Sequence, residues 1–159
     1  MTWPEKIILC EVGLRDGLQN EATLLSIEQK LKLIEGIVDA GVRIVEVGSF
    51  VHPKIVPQMA DTDEVAKRLR RSPGVEYRCL VANKKGVERA IASGITKVKL
   101  TISASESHAK SNFNKTIAEL LEGFKECVNF AHCNKAEVSS AISTAFGCPF
   151  EGKISIKRL

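Results

Sequence analysis

Five short apolar, β-branched runs recur along the chain with helix-like segments between them, and this cadence limits the possible folds more than any other feature. The runs are IILCEV (7–12), RIVEVGSF (43–50), VEYRCLVA (75–82), KVKLTIS (97–103) and AEVSSAIST (136–144). No tight hairpin dipeptide joins one run directly to the next. Strands separated by a helix's worth of chain pair in parallel through right-handed crossovers, so the expected class is α/β with a parallel sheet.

The intervening segments carry helix signals of their own. Ser26 and Gln29 have the spacing of a capping box, after which Ile27, Leu31, Ile34 and Val38 form an apolar stripe. Asp61 with Glu64 opens a second helix carrying Val65 and Leu69, and Asn83 caps a third with Val87, Ala90 and Ile91 on one side. A fourth holds Ile117, Leu120, Leu121, Phe124 and Val128. Gly41 and Gly94 fall where a helix needs a left-handed residue before the next strand.

Charges inside the runs separate two parallel architectures. Glu11, Glu46, Arg78, Lys99 and Glu137 each occupy a strand position with mainly apolar neighbours. In an open sheet covered by helices on both faces they would sit in dry contacts at high cost. In a barrel one face looks into a lumen where opposite charges pair and reach water. The expected fold is therefore a (β/α)8 TIM barrel. Such a barrel takes about 250 residues, so 159 residues are expected to supply five strands and four helices. The predicted organisation is one domain, residues 1–159 forming the N-terminal part of a barrel whose C-terminal strands are absent.

Composition excludes several functions. A net charge of +4 is too mild to argue for nucleic acid, and no apolar run is long enough to span a membrane. Five cysteines at 10, 79, 127, 133 and 148 contain no CxxC pair, which suits reduced thiols. The N-terminus shows no targeting signal, giving the expectation of a cytoplasmic location, or the mitochondrial matrix for a mature organellar chain.

The chemistry concentrates in CEVGLRDGLQNE (10–21), where Arg15 and Asp16 follow the first strand between Gly13 and Gly17. Barrel enzymes carry their reacting groups at the carboxyl ends of strands. Aspartate is a hard oxygen donor suited to magnesium or manganese, and arginine presents several fixed donors to an oxyanion. A solvated surface ion pair is the plainer reading of the same dipeptide.

EVGLRDGLQNE, VEVGSFVHPKIVPQMADTDEV, ANKKGVERA and AFGCPFEGKIS, in this order and spacing, resemble the 3-hydroxy-3-methylglutaryl-CoA lyases, a branch of the metallolyase TIM-barrel superfamily. The resemblance implies a carbon–carbon lyase that uses a divalent cation, Mg or Mn, and takes an acyl-CoA substrate. The implied reaction is a retro-Claisen cleavage to acetyl-CoA and acetoacetate. Asp16 matches the metal-binding aspartate, which also takes part in proton transfer, and Arg15 the arginine that steadies the product enolate. Glu46 matches a glutamate lining the site, with a lumen salt bridge as its structural alternative. Gln19 and Ser49 match positions that touch substrate or orient its neighbours. Glu11 matches a family acid for which a structural hydrogen bond is expected. A homodimer is a further implication.

Two family motifs have no counterpart. The histidines stand at 52, 108 and 132, none in HxH spacing, and Cys148, in GCPFEG after the fifth run, matches a different family stretch from the late-loop cysteine. Little or no activity is therefore expected of these 159 residues alone. The other expectations are a related 3-hydroxyacyl-CoA lyase or aldol-type metallolyase, or a non-catalytic chain that associates through open sheet edges.

Overall fold

The computed structural model describes residues 3–159; the first two residues of the N-terminal stretch read for targeting signals lie outside them. Five strands, β1 (Cys10–Glu11), β2 (Ile44–Ser49), β3 (Glu76–Leu80), β4 (Lys97–Ser103) and β5 (Glu137–Ser143), form one sheet. All neighbours are parallel, and their order in space is their order in sequence. A doubly wound sheet reverses its strand order part-way; this one never does. The helices α1 (Ile27–Asp39), α2 (Thr62–Arg68), α3 (Lys84–Ala92), α4 (Glu106–Phe113) and α5 (Ile117–Cys133) make the crossovers. Right-handed crossovers taken in one direction put every helix on the same side. The result is a half-barrel with a helical outside and an open, concave inside.

The core lies between sheet and helices. Val45, Tyr77, Cys79, Val98 and Leu100 of the strands pack with Ile34, Val38, Val65, Val87 and Ala131 of the helices. The alternate strand positions look into the concave face, and there the charged residues sit. Ser26 accepts from the Gln29 N–H while its own N–H donates to the Gln29 side chain, completing the capping box. Asn83 caps α3 through the Gly86 N–H. Gly41 and Gly94 adopt φ of +96° and +82°, the left-handed positions the sequence requires.

Three expectations need correction. The first strand is two residues rather than six, and Ile7, Ile8 and Leu9 are exposed. Cys10 pairs with Ile44 at the very start of β2, so residues before Cys10 have no strand to lie against. Among the described residues there are five α-helices rather than four. The additional helix, α4, buries only Ala109 and so shows no apolar stripe, although Ser105 caps it by accepting from the His108 N–H. Asp61 precedes α2 without capping it. Its carboxylate instead accepts from the buried Lys30 ammonium, a stronger charge-assisted bond.

Candidate active site

The segment after β1 turns at once into a π-helical turn, Gly13–Gly17. The Arg15 and Asp16 N–H groups both donate to Val12 O, at 3.0 and 2.7 Å. The Glu11 carboxylate accepts from the Gly13 N–H at 2.5 Å, which gives that acid a structural use. Leu14 is buried in the core and anchors the turn from below. With Leu14 committed inward, the next two side chains are delivered to the carboxyl end of the sheet.

Three of the residues singled out from the sequence meet there. Arg15 Nε donates to Glu46 Oε1, and Arg15 Nη1 donates to Asp16 Oδ1 at 2.6 Å. Glu46, on β2, is fully buried, while the Asp16 side chain is 58% exposed and the Arg15 side chain 13%. The pair at 15 and 16 is thus neither a solvated ion pair nor a buried one. The carboxylate faces outward from the strand tips, and a buried partner holds the guanidinium beneath it. Lys99 Nζ, from β4, reaches the other Glu46 oxygen at 3.1 Å. Glu46 thus makes the lumen salt bridge that was its structural alternative.

Ser49 reaches the same face by an irregularity. Glu46 pairs with Arg78 and Gly48 with Cys79, so Val47 is an extra residue in β2. A bulge of this kind re-aims the side chains beyond it. Ser49 is thereby paired with Leu80 and brought into phase with Glu46, two strand positions on in effect rather than three. The Ser49 hydroxyl is buried with no hydrogen-bond partner among the described residues. Gln19 lies in the turn following Gly17, half-buried, and its side chain makes no hydrogen bond among the described residues. The structure therefore joins Arg15, Asp16 and Glu46 directly and leaves Gln19 and Ser49 as unengaged polar groups on neighbouring elements.

A second charged layer lies toward the amino ends of the strands. Arg78 and Lys97 both donate to Glu76, and Lys97 also reaches Glu137 at 2.8 Å. Burial works against the Glu76 carboxylate, but its bonds from Lys97 and Arg78 outweigh that and hold its pKa below the usual value. The strand charges do face one common space, as the barrel reading requires.

Sequence reasoning missed the brace around the mouth. Lys30 Nζ donates to Gln58 O at 2.6 Å as well as to Asp61, and Gln58 Nε2 donates to Glu21 O at 2.8 Å. Gln58 ties the loops after β1 and β2 together, and the buried Lys30 of α1 holds Gln58 and Asp61 in place. A lysine among apolar helix positions was the available signal. Cys148, after β5, donates its thiol to Ser105 at 3.0 Å, and Ser105 donates to Glu151 at 2.8 Å; this thiol is part of a loop tether.

The residues at the strand tips do not by themselves suit a divalent cation. No group of three His, Cys, Asp or Glu side chains converges among the described residues. Both Glu46 oxygens already serve cations, which leaves Asp16 as one carboxylate with a free oxygen. Divalent cations of this kind are held by several oxygen ligands, so the described residues do not form a metal centre by themselves.

Comparison with known proteins agrees with this geometry. The HMGL-like family model matches residues 6–159. The chain belongs to the HMGL-like family. The mitochondrial hydroxymethylglutaryl-CoA lyase of Bos taurus is 44% identical over 97% of this HMGL-like chain and 47% of its own. A hydroxymethylglutaryl-CoA lyase of Bacillus subtilis is 39% identical over all of this chain and 53% of its own. The crystal structure of a Bacillus subtilis HMG-CoA lyase superposes with a TM-score of 0.96 over 99% of this chain and 53% of that one. A lyase of Acinetobacter baumannii, solved with coenzyme A and 3-methylmalate, superposes at 0.91 with 37% identity, over 95% of this chain and 49% of that one. The HMGL-like chain spans about half the length of the relatives it matches, and its five-stranded parallel sheet superposes on part of the Bacillus subtilis HMG-CoA lyase structure.

Proposed function

We propose that this chain supplies the N-terminal part of a carbon–carbon lyase that cleaves 3-hydroxy-3-methylglutaryl-CoA to acetyl-CoA and acetoacetate. The observation that carries the proposal is the Asp16–Arg15–Glu46 chain of contacts at the strand tips, with one carboxylate open, one buried and a guanidinium between them. In the cleavage, the tertiary hydroxyl loses its proton and becomes a ketone carbonyl. The carbon–carbon bond beside it breaks, and its electron pair forms the enolate of the departing thioester, which takes up a proton to give acetyl-CoA. The open Asp16 carboxylate is suited to receive the hydroxyl proton. Arg15, fixed by Glu46, is suited to donate to the enolate oxygen, where charge develops.

A divalent cation, Mg or Mn, would bind the substrate oxygens and acidify the hydroxyl; at Asp16 it needs further ligands from outside the described residues. Gln19 and Ser49 are proposed as substrate-side polar groups. Localisation in the cytoplasm or mitochondrial matrix and assembly as a homodimer are part of the same reading; no helix among the described residues is long and apolar enough to cross a membrane.

The test is a chimera in which residues 1–159 replace the matching half of the Bacillus subtilis relative, assayed for HMG-CoA cleavage with magnesium. Cleavage that disappears in Arg15→Gln and Asp16→Asn supports the proposal. A folded chimera without cleavage refutes it. A second reading concerns the acyl chain. A Pseudomonas aeruginosa relative, 40% identical over all of this chain, is named for both 3-hydroxy-3-isohexenylglutaryl-CoA and hydroxymethylglutaryl-CoA. Comparing the two substrates in the chimera separates a narrow lyase from a broad one.

A further inference from the structure

Glu46 divides its carboxylate between two cations. Arg15 Nε donates to Oε1, and Lys99 Nζ donates to Oε2 at 3.1 Å. Because the side chain is fully buried, neither oxygen can turn to water and both need protein donors. Arg15 gives Glu46 only Nε. Its Nη1 goes to Asp16, and Nη2 has no hydrogen-bond partner among the described residues. A guanidinium beside a carboxylate commonly docks as a fork with two parallel bonds. Arg78 brings both atoms to a carboxylate in this sheet, though onto the single oxygen Oε1 of Glu76 and not as a fork.

We propose that Lys99 is a positioning residue of the candidate site: by holding the second oxygen of Glu46 it keeps Arg15 in single-bond contact and leaves Nη2 open to an anionic oxygen of the substrate. The inference rests on reading Arg15 as the oxyanion donor. Without Lys99, the orphaned buried oxygen competes for Arg15 more strongly than any outside anion, because it is always present and has no other donor. The guanidinium then closes onto Glu46 as a fork, and Nη2 is withdrawn from the mouth. Charge acts in the same direction. Arg15 and Lys99 balance Asp16 and Glu46, so loss of the lysine leaves the cluster negative where an anionic ligand must approach.

The test is guanidinium NMR on the 159-residue chain, with the Arg15 signals assigned by their loss in Arg15→Lys. Exchange of the Nη2 protons with water is compared in the unmodified chain, Lys99→Met, Lys99→Arg and the double variant Glu46→Gln/Lys99→Met. The expected result is Nη2 exchange about tenfold slower in Lys99→Met, the effect of one added hydrogen bond. Lys99→Arg, which still reaches the oxygen, keeps fast exchange. The double variant recovers it, since a neutral amide draws the guanidinium less strongly than a carboxylate and leaves no unpaired charged oxygen for Nη2. Unchanged Nη2 exchange in a folded Lys99→Met overturns the proposal. So does an unmodified chain in which Arg15 Nη2 is already as protected as Arg78 Nη2, a comparison that needs no variant to fold. None of these measurements uses substrate, so failure of HMG-CoA cleavage in the chimera is a separate result.

Discussion

Gly48 and Thr62 touch so closely that a Cβ on the glycine would lie 2.7 Å from the threonine Oγ1 and 2.9 Å from its Cγ2. The bulge at Val47 turns Gly48 toward α2, and Thr62 is pinned at that spot because its hydroxyl donates to Met59 O at 2.9 Å. Gly48→Ala should therefore lower stability by about 2 kcal/mol, the scale of an overpacked core. Adding Thr62→Ala removes both clashing atoms and should recover part of the loss. Urea unfolding of the four forms checks this, and simple additivity would contradict it.

Glu46 is the buried member of an ion cluster, and removing it strands Arg15 and Lys99 together. Glu46→Ala should cost about 3 kcal/mol, in the range for breaking a buried pair from one side. Glu46→Gln should cost less, because the amide oxygen still accepts one bond. Denaturant midpoints at constant m-value distinguish the two.

Glu151 should give the fold an acid-sensitive tether. Its carboxylate accepts from the Ser107 N–H at 2.7 Å, from the Ser105 hydroxyl and from Arg158, and these bonds lower its pKa from 4.5 to about 2. A carboxyl whose folded pKa is depressed stabilises the protein above its unfolded pKa and loses that contribution as pH falls through the folded one. The difference in thermal midpoint between the unmodified chain and Glu151→Gln should be constant above pH 5 and shrink between 4.5 and about 2. A difference independent of pH across that window would exclude the tether.

Both outer strands have one unpaired edge, and the β1 edge is flanked by exposed Ile7, Ile8 and Leu9, with Ile142 half-exposed on β5. Edges of this kind favour association. The 159-residue chain should self-associate with increasing concentration in light scattering, and Ile8→Lys should reduce it. A strictly monomeric chain at high concentration would count against the open-edge reading.

The parallel class and the half-barrel were legible in the sequence because both rest on periodicity and on charges at Glu46, Arg78 and Lys99 that only a lumen accommodates. The caps at Ser26 and Asn83 were legible for a local reason: the partners lie three residues apart. What escaped depends on tertiary partners. β1 is short because β2 begins opposite Cys10, and Asp61 leaves its helix because Lys30 is nearby, neither of which local spacing encodes. α4 escaped because it buries a single alanine. At the candidate site, the Arg15–Asp16 dipeptide drew notice as a motif, but its coupling to Lys99 spans 84 positions of chain and a bulge that no residue type announces.

A sheet whose spatial neighbours are also chain neighbours can be laid down in the order of synthesis. Each new strand finds its partner already in place, and no segment waits for a later one to be threaded between strands already formed. Growth is confined to the two flanks, so appending or removing a strand–helix unit there leaves the Arg15–Glu46–Lys99 contacts within the first four strands. Such an architecture is divisible in a way that an interleaved sheet is not: its working parts can be inherited as contiguous blocks.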